Sequence, residues 1–245
     1  MASAEDVPRG SPDIHKVTQF VISYIKLLDR KHLLMSRIAY EAAQRRNYVP
    51  DIQSIGPLDT LIMEAFSGLE DKLVKLSQSL ACDSLGFLFL INNFYFVWQQ
   101  LHPMFRMEFP MAILNRKIDD YIQSYLQASW GPVMSCLYCD PRPLRLGKYF
   151  FSTNREFSWS IMPKQSRPSL GRYSSLLLFE SEFQKIYNAQ RLWKIPDPEL
   201  RTRLRNAIIQ KITSGFQKFQ DESSSVNTPR VTPQKLEMLH DLFEG

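Results

Sequence analysis

The sequence predicts an all-α protein built from helical bundles, and three observations carry that prediction. Apolar residues recur at three- and four-residue steps along most of the chain. This is the one-sided stripe of a packed helix. No stretch alternates with the period of two that a half-buried strand requires, and no Asn-Gly turn joins two apolar runs. Punctuating residues fall between the stripes, at Pro50, Gly56-Pro57 and Pro103.

The elements follow in order. Residues 1–13 are polar and predict a disordered leader. Ile14, Val17, Val21, Tyr24 and Leu28 predict a helix over 14–46. Leu58, Ile62, Ala65, Leu69, Leu73, Leu76 and Leu80 predict one over 57–81. The run "LGFLFLINNFYFVW" (Leu85 to Trp98) predicts a helix over 85–100. It is shorter than the ~20 residues a membrane span needs, and Asn92 and Asn93 interrupt it. Leu114, Ile118, Tyr121 and Tyr125 predict a helix over 111–138, kinked at Pro132. These helices form a first bundle over 14–139.

Residues 140–171 are rich in Pro, Arg and Ser but include "KYFFSTNREFSWS", too aromatic for a solvated linker. A long loop packing partly on the bundle is expected. A C-terminal bundle over 172–245 follows, with helices at 172–193, 198–220 and 233–243. The polar, Ser-rich stretch from Asp221 to Pro233 is expected to be a mobile connection between the last two.

Composition narrows the function. With 245 residues and 44% hydrophobic content, the chain has enough apolar material for a sizeable core. The opening "MASAEDVPRGSPD" lacks the apolar core of a signal peptide, so a cytoplasmic chain is expected. Three cysteines, Cys82, Cys136 and Cys139, fit reduced thiols. Cys136-Leu-Tyr-Cys139 has redox-motif spacing but neither a βαβ setting nor a second pair for zinc. The histidines (His15, His32, His102, His240) are scattered. There is no phosphate-cradling glycine loop, nucleophile elbow or kinase signature. No enzymatic activity, cofactor or metal is expected.

Charge is uneven. Residues 142–220 carry 15 basic and 5 acidic side chains, whereas residues 1–141 carry 13 and 15. Such a block is a candidate surface for an anionic partner. Within it, "WKIPDPELRTRLRNAIIQKI" (Trp193 to Ile212) starts a helix firmly: Asp197 suits the N-cap, Pro198 the first position and Glu199 the first turn. Leu200, Leu204, Ile208, Ile212, Phe216 and Phe219 form its core stripe. The arginines have acids four residues before them, Asp197 for Arg201 and Glu199 for Arg203. At ~100° per residue, Arg203 projects away from Arg201 and Arg205. A capped core helix with paired charges is the local reading. Arg142, Arg145, Lys148, Arg155, Lys164, Arg167 and Arg172 keep an anionic partner in view. Nucleic acid is not expected, since no zinc finger, helix-turn-helix or aromatic sheet motif is present. The aromatics Tyr149, Phe150, Phe157 and Trp159 read equally as loop anchors and as stacking platforms.

The stretch from Phe179 to Ile212, "FESEFQKIYNAQRLWKIPDPELRTRLRNAIIQKI", resembles the C-terminal region of the plant Exo70 family, a subunit of the exocyst. Four more patches agree, in family order. "HKVTQFVISYIKLL" (His15 to Leu28) resembles its His-Pro-Leu-Thr helix, with Lys16 in place of proline. "FLFLINNFYFVW" (Phe87 to Trp98) resembles its buried Leu-x-Asn-Asn helix, and "YLQASWGPVMSCL" (Tyr125 to Leu137) its Ser-Trp helix. The ending "TPQKLEMLHDLFEG" resembles the plant C-terminus.

The resemblance implies an elongated rod of stacked antiparallel helical bundles, of the tethering-complex type, without catalytic activity. It implies a scaffold that docks secretory vesicles at the plasma membrane, peripheral to that membrane. It implies other exocyst subunits, a Rho-type small GTPase and phosphatidylinositol 4,5-bisphosphate as partners, with lipid bound through a basic C-terminal surface. On this sequence that surface would comprise Arg201, Arg203, Arg205, Lys211, Arg230 and Lys235. Two departures follow. The family's N-terminal helical part is absent, so the chain reads as a fragment or a shortened copy, and assembly with other subunits is weakened. The family's Lys-Tyr-Ile-Lys-Tyr-Thr-Pro lipid motif becomes "NTPRVTP", with Asn227 at the first lysine and Arg230 at the second. A lost lysine removes about 1 kcal/mol of attraction to an anionic leaflet. The alternative is a protein-binding module acting in plant immunity, as effector target or decoy, outside the exocyst.

Overall fold

The computed structural model describes residues 12–45, 56–102, 108–138, 170–221 and 237–244. The expected loop over 140–171, apart from its last two residues, the stretch after Asp221 that the sequence marked as a connection, and Cys139, Arg230 and Lys235 lie outside these residues. The fold is all-α. Seven α-helices are present among the described residues: α1 (Lys16–Arg30), α2 (His32–Arg45), α3 (Pro57–Ser77), α4 (Asp83–Leu101), α5 (Glu108–Tyr138), α6 (Leu170–Gln190) and α7 (Pro198–Asp221). The β-type pairing among them is a single isolated bridge between Lys194 and Glu244.

The chain divides into two compact units. The first takes in Met1–Tyr125, Trp193–Leu204 and Phe243–Gly245, and the second Leu126–Leu192 and Arg205–Leu242. In the first, α1 and α2 pack on α3, and α1 and α3 pack on α4. Ile22, Ile25 and Leu28 of α1 and Leu58, Ile62, Leu69 and Leu73 of α3 are all buried, and the two helices pack on each other. α4 is buried almost all round, as its continuous apolar run requires. Gly86 lets α4 approach the end of α3, because a Cβ there would sit 2.9 Å from the Ser77 carbonyl oxygen. In the second unit the buried residues include Trp130, Val133, Leu137, Phe179, Phe183, Ile208, Ile212 and Phe216.

Several expectations change. The helix expected over 14–46 breaks at Lys31, whose φ of −106° and ψ of 25° leave the helical well. The inward face of α1 is Thr18, Ile22, Ile25 and Leu28. The expected stripe through Val17, Val21 and Tyr24 is displaced from it, and Tyr24 is exposed. α1 misleads because it is apolar on two faces. Pro12 and Asp13, assigned to the disordered leader, have carbonyls that accept hydrogen bonds from the Asn92 and Asn93 side chains, at 2.7 and 3.2 Å. Of the helix expected over 233–243, the described part is a short helical turn ending in a 3-10 turn, Leu239–Asp241. Phe243 then takes a positive φ of 66°, a conformation disfavoured for a bulky residue. Its ring is buried and lies 6.4 Å from that of Tyr125. α5 stays helical past Pro132 to Tyr138.

Candidate functional site

The start of α7 is held as the sequence suggests. Asp197 Oδ1 accepts from the Leu200 backbone N–H at 2.7 Å, satisfying an orphan donor of the first turn. Its other oxygen accepts from Gln99 Nε2 at 2.6 Å. The Asp197 carboxylate is thereby occupied, and the intrahelical pairs expected for the arginines give way to longer-range ones. Arg201 donates to Glu244 at 2.9 Å, and Arg203 donates to Asp119 of α5. In the second unit, Arg205 donates through Nε and Nη2 to the Leu242 carbonyl oxygen, with the Nε contact at 2.9 Å.

All three arginines therefore tie parts of the fold together. Arg201 and Arg205 reach the C-terminal segment, while Arg203, on another side of the helix, reaches α5. Lys211, further along α7, is half-buried. Arg230 and Lys235 complete the sequence-derived set but are outside the described residues.

Two neighbouring asparagines of α4 organise the same region of the first unit. Asn93, fully buried, accepts from the His15 backbone N–H at 2.8 Å and from the Thr18 hydroxyl at 2.6 Å. Its amide donates to Phe89 O at 2.8 Å. Asn92 donates to the carbonyl oxygens of Pro12 and Lys194. The pair fixes the lead-in to α1 and the segment before α7 onto α4. The sequence showed these residues as interruptions of an apolar run; apart from Phe89, their partners lie 75 to 102 residues away and left no local signal.

Next to this network, burial pushes the Tyr95 phenol up to about 12, helped by the charges of Asp197 and Glu199 and a hydrogen bond to Glu199. Burial, then Glu70 and Asp120, does the same for Tyr121, also to about 12. Unfolded phenols ionise near 10. The stability these groups contribute is full below pH ~10 and is lost as pH rises towards ~12. Tyr95→Phe is expected to flatten that alkaline fall, read as the urea midpoint against pH.

Cys82 and Cys136 are free thiols. Among the described residues, no group of His, Cys, Asp and Glu is placed to hold a metal ion, and no helix is long and apolar enough to cross a membrane.

The family model for the C-terminal part of Exo70, a component of the exocyst complex, matches residues 3–239. The chain belongs to the Exo70 family. Among curated Exo70 proteins of Arabidopsis thaliana, it is 24% identical to "Exocyst complex component EXO70A3", the match covering 95% of this chain and 38% of that protein. It is 24% identical to "Exocyst complex component EXO70E2", over 94% of this chain and 34% of that one. For "Exocyst complex component EXO70A1" the identity is 19%, over 95% and 36%. The chain thus spans little more than a third of the length of these Exo70 relatives.

Proposed function

We propose that this chain is a non-enzymatic scaffold block of exocyst type, contributing to the tethering of secretory vesicles at a membrane. The observation that carries the reading is the match to the Exo70 C-terminal family model over residues 3–239. An all-helical build, with no group of His, Cys, Asp and Glu placed to hold a metal among the described residues, is consistent with work done by outer surfaces. Other exocyst subunits and a Rho-type small GTPase are the protein partners this reading assigns.

Anionic phosphoinositide at the plasma membrane is its lipid partner. The 15 basic and 5 acidic residues of 142–220 supply the long-range attraction. Because Arg201, Arg203 and Arg205 are engaged within the fold, their contribution to lipid is reduced. Lys211, with Arg230 and Lys235, then carries more of it. Liposome co-sedimentation with and without phosphatidylinositol 4,5-bisphosphate tests this. Binding is expected only with the phosphoinositide, weakening as salt rises. Lys211→Glu is expected to weaken it several-fold, since each cation near an anionic surface is worth about 1 kcal/mol, with the melting temperature unchanged. Equal binding to neutral vesicles, or none to either, overturns the lipid reading.

The engagement of all three arginines also favours a second reading. In it the chain is a protein-binding module of plant immunity, a target or decoy for a pathogen effector, with no lipid role.

A further inference from the structure

α1 and α2 carry a second apolar row on the side away from the core. Phe20, Tyr24 and Leu27 of α1 are 73%, 45% and 51% exposed, and Leu34 and Ile38 of α2 are 58% and 50% exposed. With Lys31 included, the positions 20, 24, 27, 31, 34 and 38 step by four and three residues alternately. That is the 3.5-residue repeat of a coiled-coil seam. At ~100° per residue, Phe20, Tyr24 and Leu27 point nearly opposite to the buried Thr18, Ile22 and Ile25.

The break at Lys31 does not interrupt the row's spacing. The Lys31 N–H donates to Leu27 O at 3.1 Å and the Met35 N–H to Lys31 O at 2.9 Å, so four-residue bonding continues across it. Both helices pack along α3. α2 has Ala39 as its one buried residue among those described. With so little of its own surface buried, α2 leaves its part of the row open.

We propose that this row is a docking seam for an amphipathic α-helix of another protein, one that carries acidic residues beside its own apolar row. Charge selects that occupant. Arg30 and Arg37 flank the seam and Lys31 lies in it, while on the other side the half-buried Val21 and Met35 bring no acid and Leu28 is turned into the core. Glu41, at the next step of the row, offsets one of these cations and pairs with Arg37 at 3.2 Å, but both side chains are largely exposed and the pair contributes little, so an excess of positive charge remains. A second copy of this chain would bring the same cations against these, which disfavours self-pairing. Leu33 and Tyr40 of α2, 86% and 57% exposed, lie outside this row, and lipid vesicles in the test below separate a membrane from a helix as occupant.

The test uses the whole chain and two designed peptides of about four heptads. Both have leucine and isoleucine at the seam; one has glutamate at the flanking positions and the other lysine. Fluorescence anisotropy is expected to show the glutamate peptide binding about tenfold or more tightly than the lysine peptide, with a loss in salt. Leu27→Asp is expected to abolish binding with the melting temperature unchanged. Should Leu27→Asp disturb the fold, the double change Lys31→Glu with Arg37→Glu serves instead and is expected to reverse the preference. Binding of neither peptide, equal binding of both, or dimerisation through this row in analytical ultracentrifugation overturns the proposal. So does binding to phosphatidylserine vesicles that Leu27→Asp removes, with neither peptide bound.

Discussion

Trp130→Ala is expected to destabilise the protein by about 3–5 kcal/mol, the cost of emptying a large aromatic site. Trp130 is completely buried in the second unit. Its ring lies 5.7 Å from that of Phe183, which is 5.9 Å from Phe179, which meets Phe216 edge-on at 4.7 Å. Removing the indole deprives α5 of its contact with Phe183 of α6, the first ring of a chain that continues to Phe216 of α7. The rings around it are too rigid to fill the space by small rotations. Trp130→Phe separates packing from polarity. The indole Nε1 is buried and has no hydrogen-bond partner among the described residues, so losing that N–H costs nothing. Phenylalanine keeps most of the apolar area and is expected to cost less than half as much as alanine. Urea unfolding of the two variants measures this. Equal losses would show that the indole contributes by something other than its volume.

Asn93→Ala is expected to cost about 3 kcal/mol, through buried groups left without partners. The His15 N–H and the Thr18 hydroxyl would lose their acceptor, and the Asp13 carbonyl its donor. Thr18 is completely buried on the inward face of α1, so water cannot replace what is lost. The effect should be local as well as global. Amide exchange at the first turn of α1 is expected to speed up more than exchange in α3. A variant in which all amides accelerate equally would mean that Asn93 serves α4 itself and not the docking of α1.

Both variants bear on what a sequence makes legible. The stripe of α7, from Leu200 to Phe219, is buried at every expected position. Its N-cap at Asp197 behaves as expected, because capping and helical spacing are set by residues within a few positions. Trp130 and the two asparagines were visible as part of family-like patches, but their partners were not. The arginines show why. Acids four residues away made local pairs a sound expectation, yet the pairs formed are with Asp119 and Glu244, at separations of 84 and 43 residues. An N-cap that already uses Asp197, and a chain end that brings Glu244 back, are tertiary facts. The inward face of α1 was hidden for a related reason. One of its four buried positions is a threonine, and an apolar row of equal strength lies on the other side. Periodicity locates a helix, but it cannot choose between two apolar faces when a buried polar contact decides.

The same division applies to function. Missing metal clusters and glycine loops, a late basic block and family-like patches all pointed to work done by exterior contacts. Which contacts remain attached to the fold and which face outward depended on three-dimensional pairing. That pairing turns Arg201, Arg203 and Arg205 into ties between elements and leaves Phe20, Leu27 and Leu34 exposed.

The most direct measurement is affinity capture of the tagged chain from plant cells, followed by mass spectrometry of what accompanies it. Co-purification of exocyst subunits, reduced when the chain is destabilised by Trp130→Ala, is the predicted result. Capture of a folded chain that never brings any other part of the exocyst with it would contradict the account.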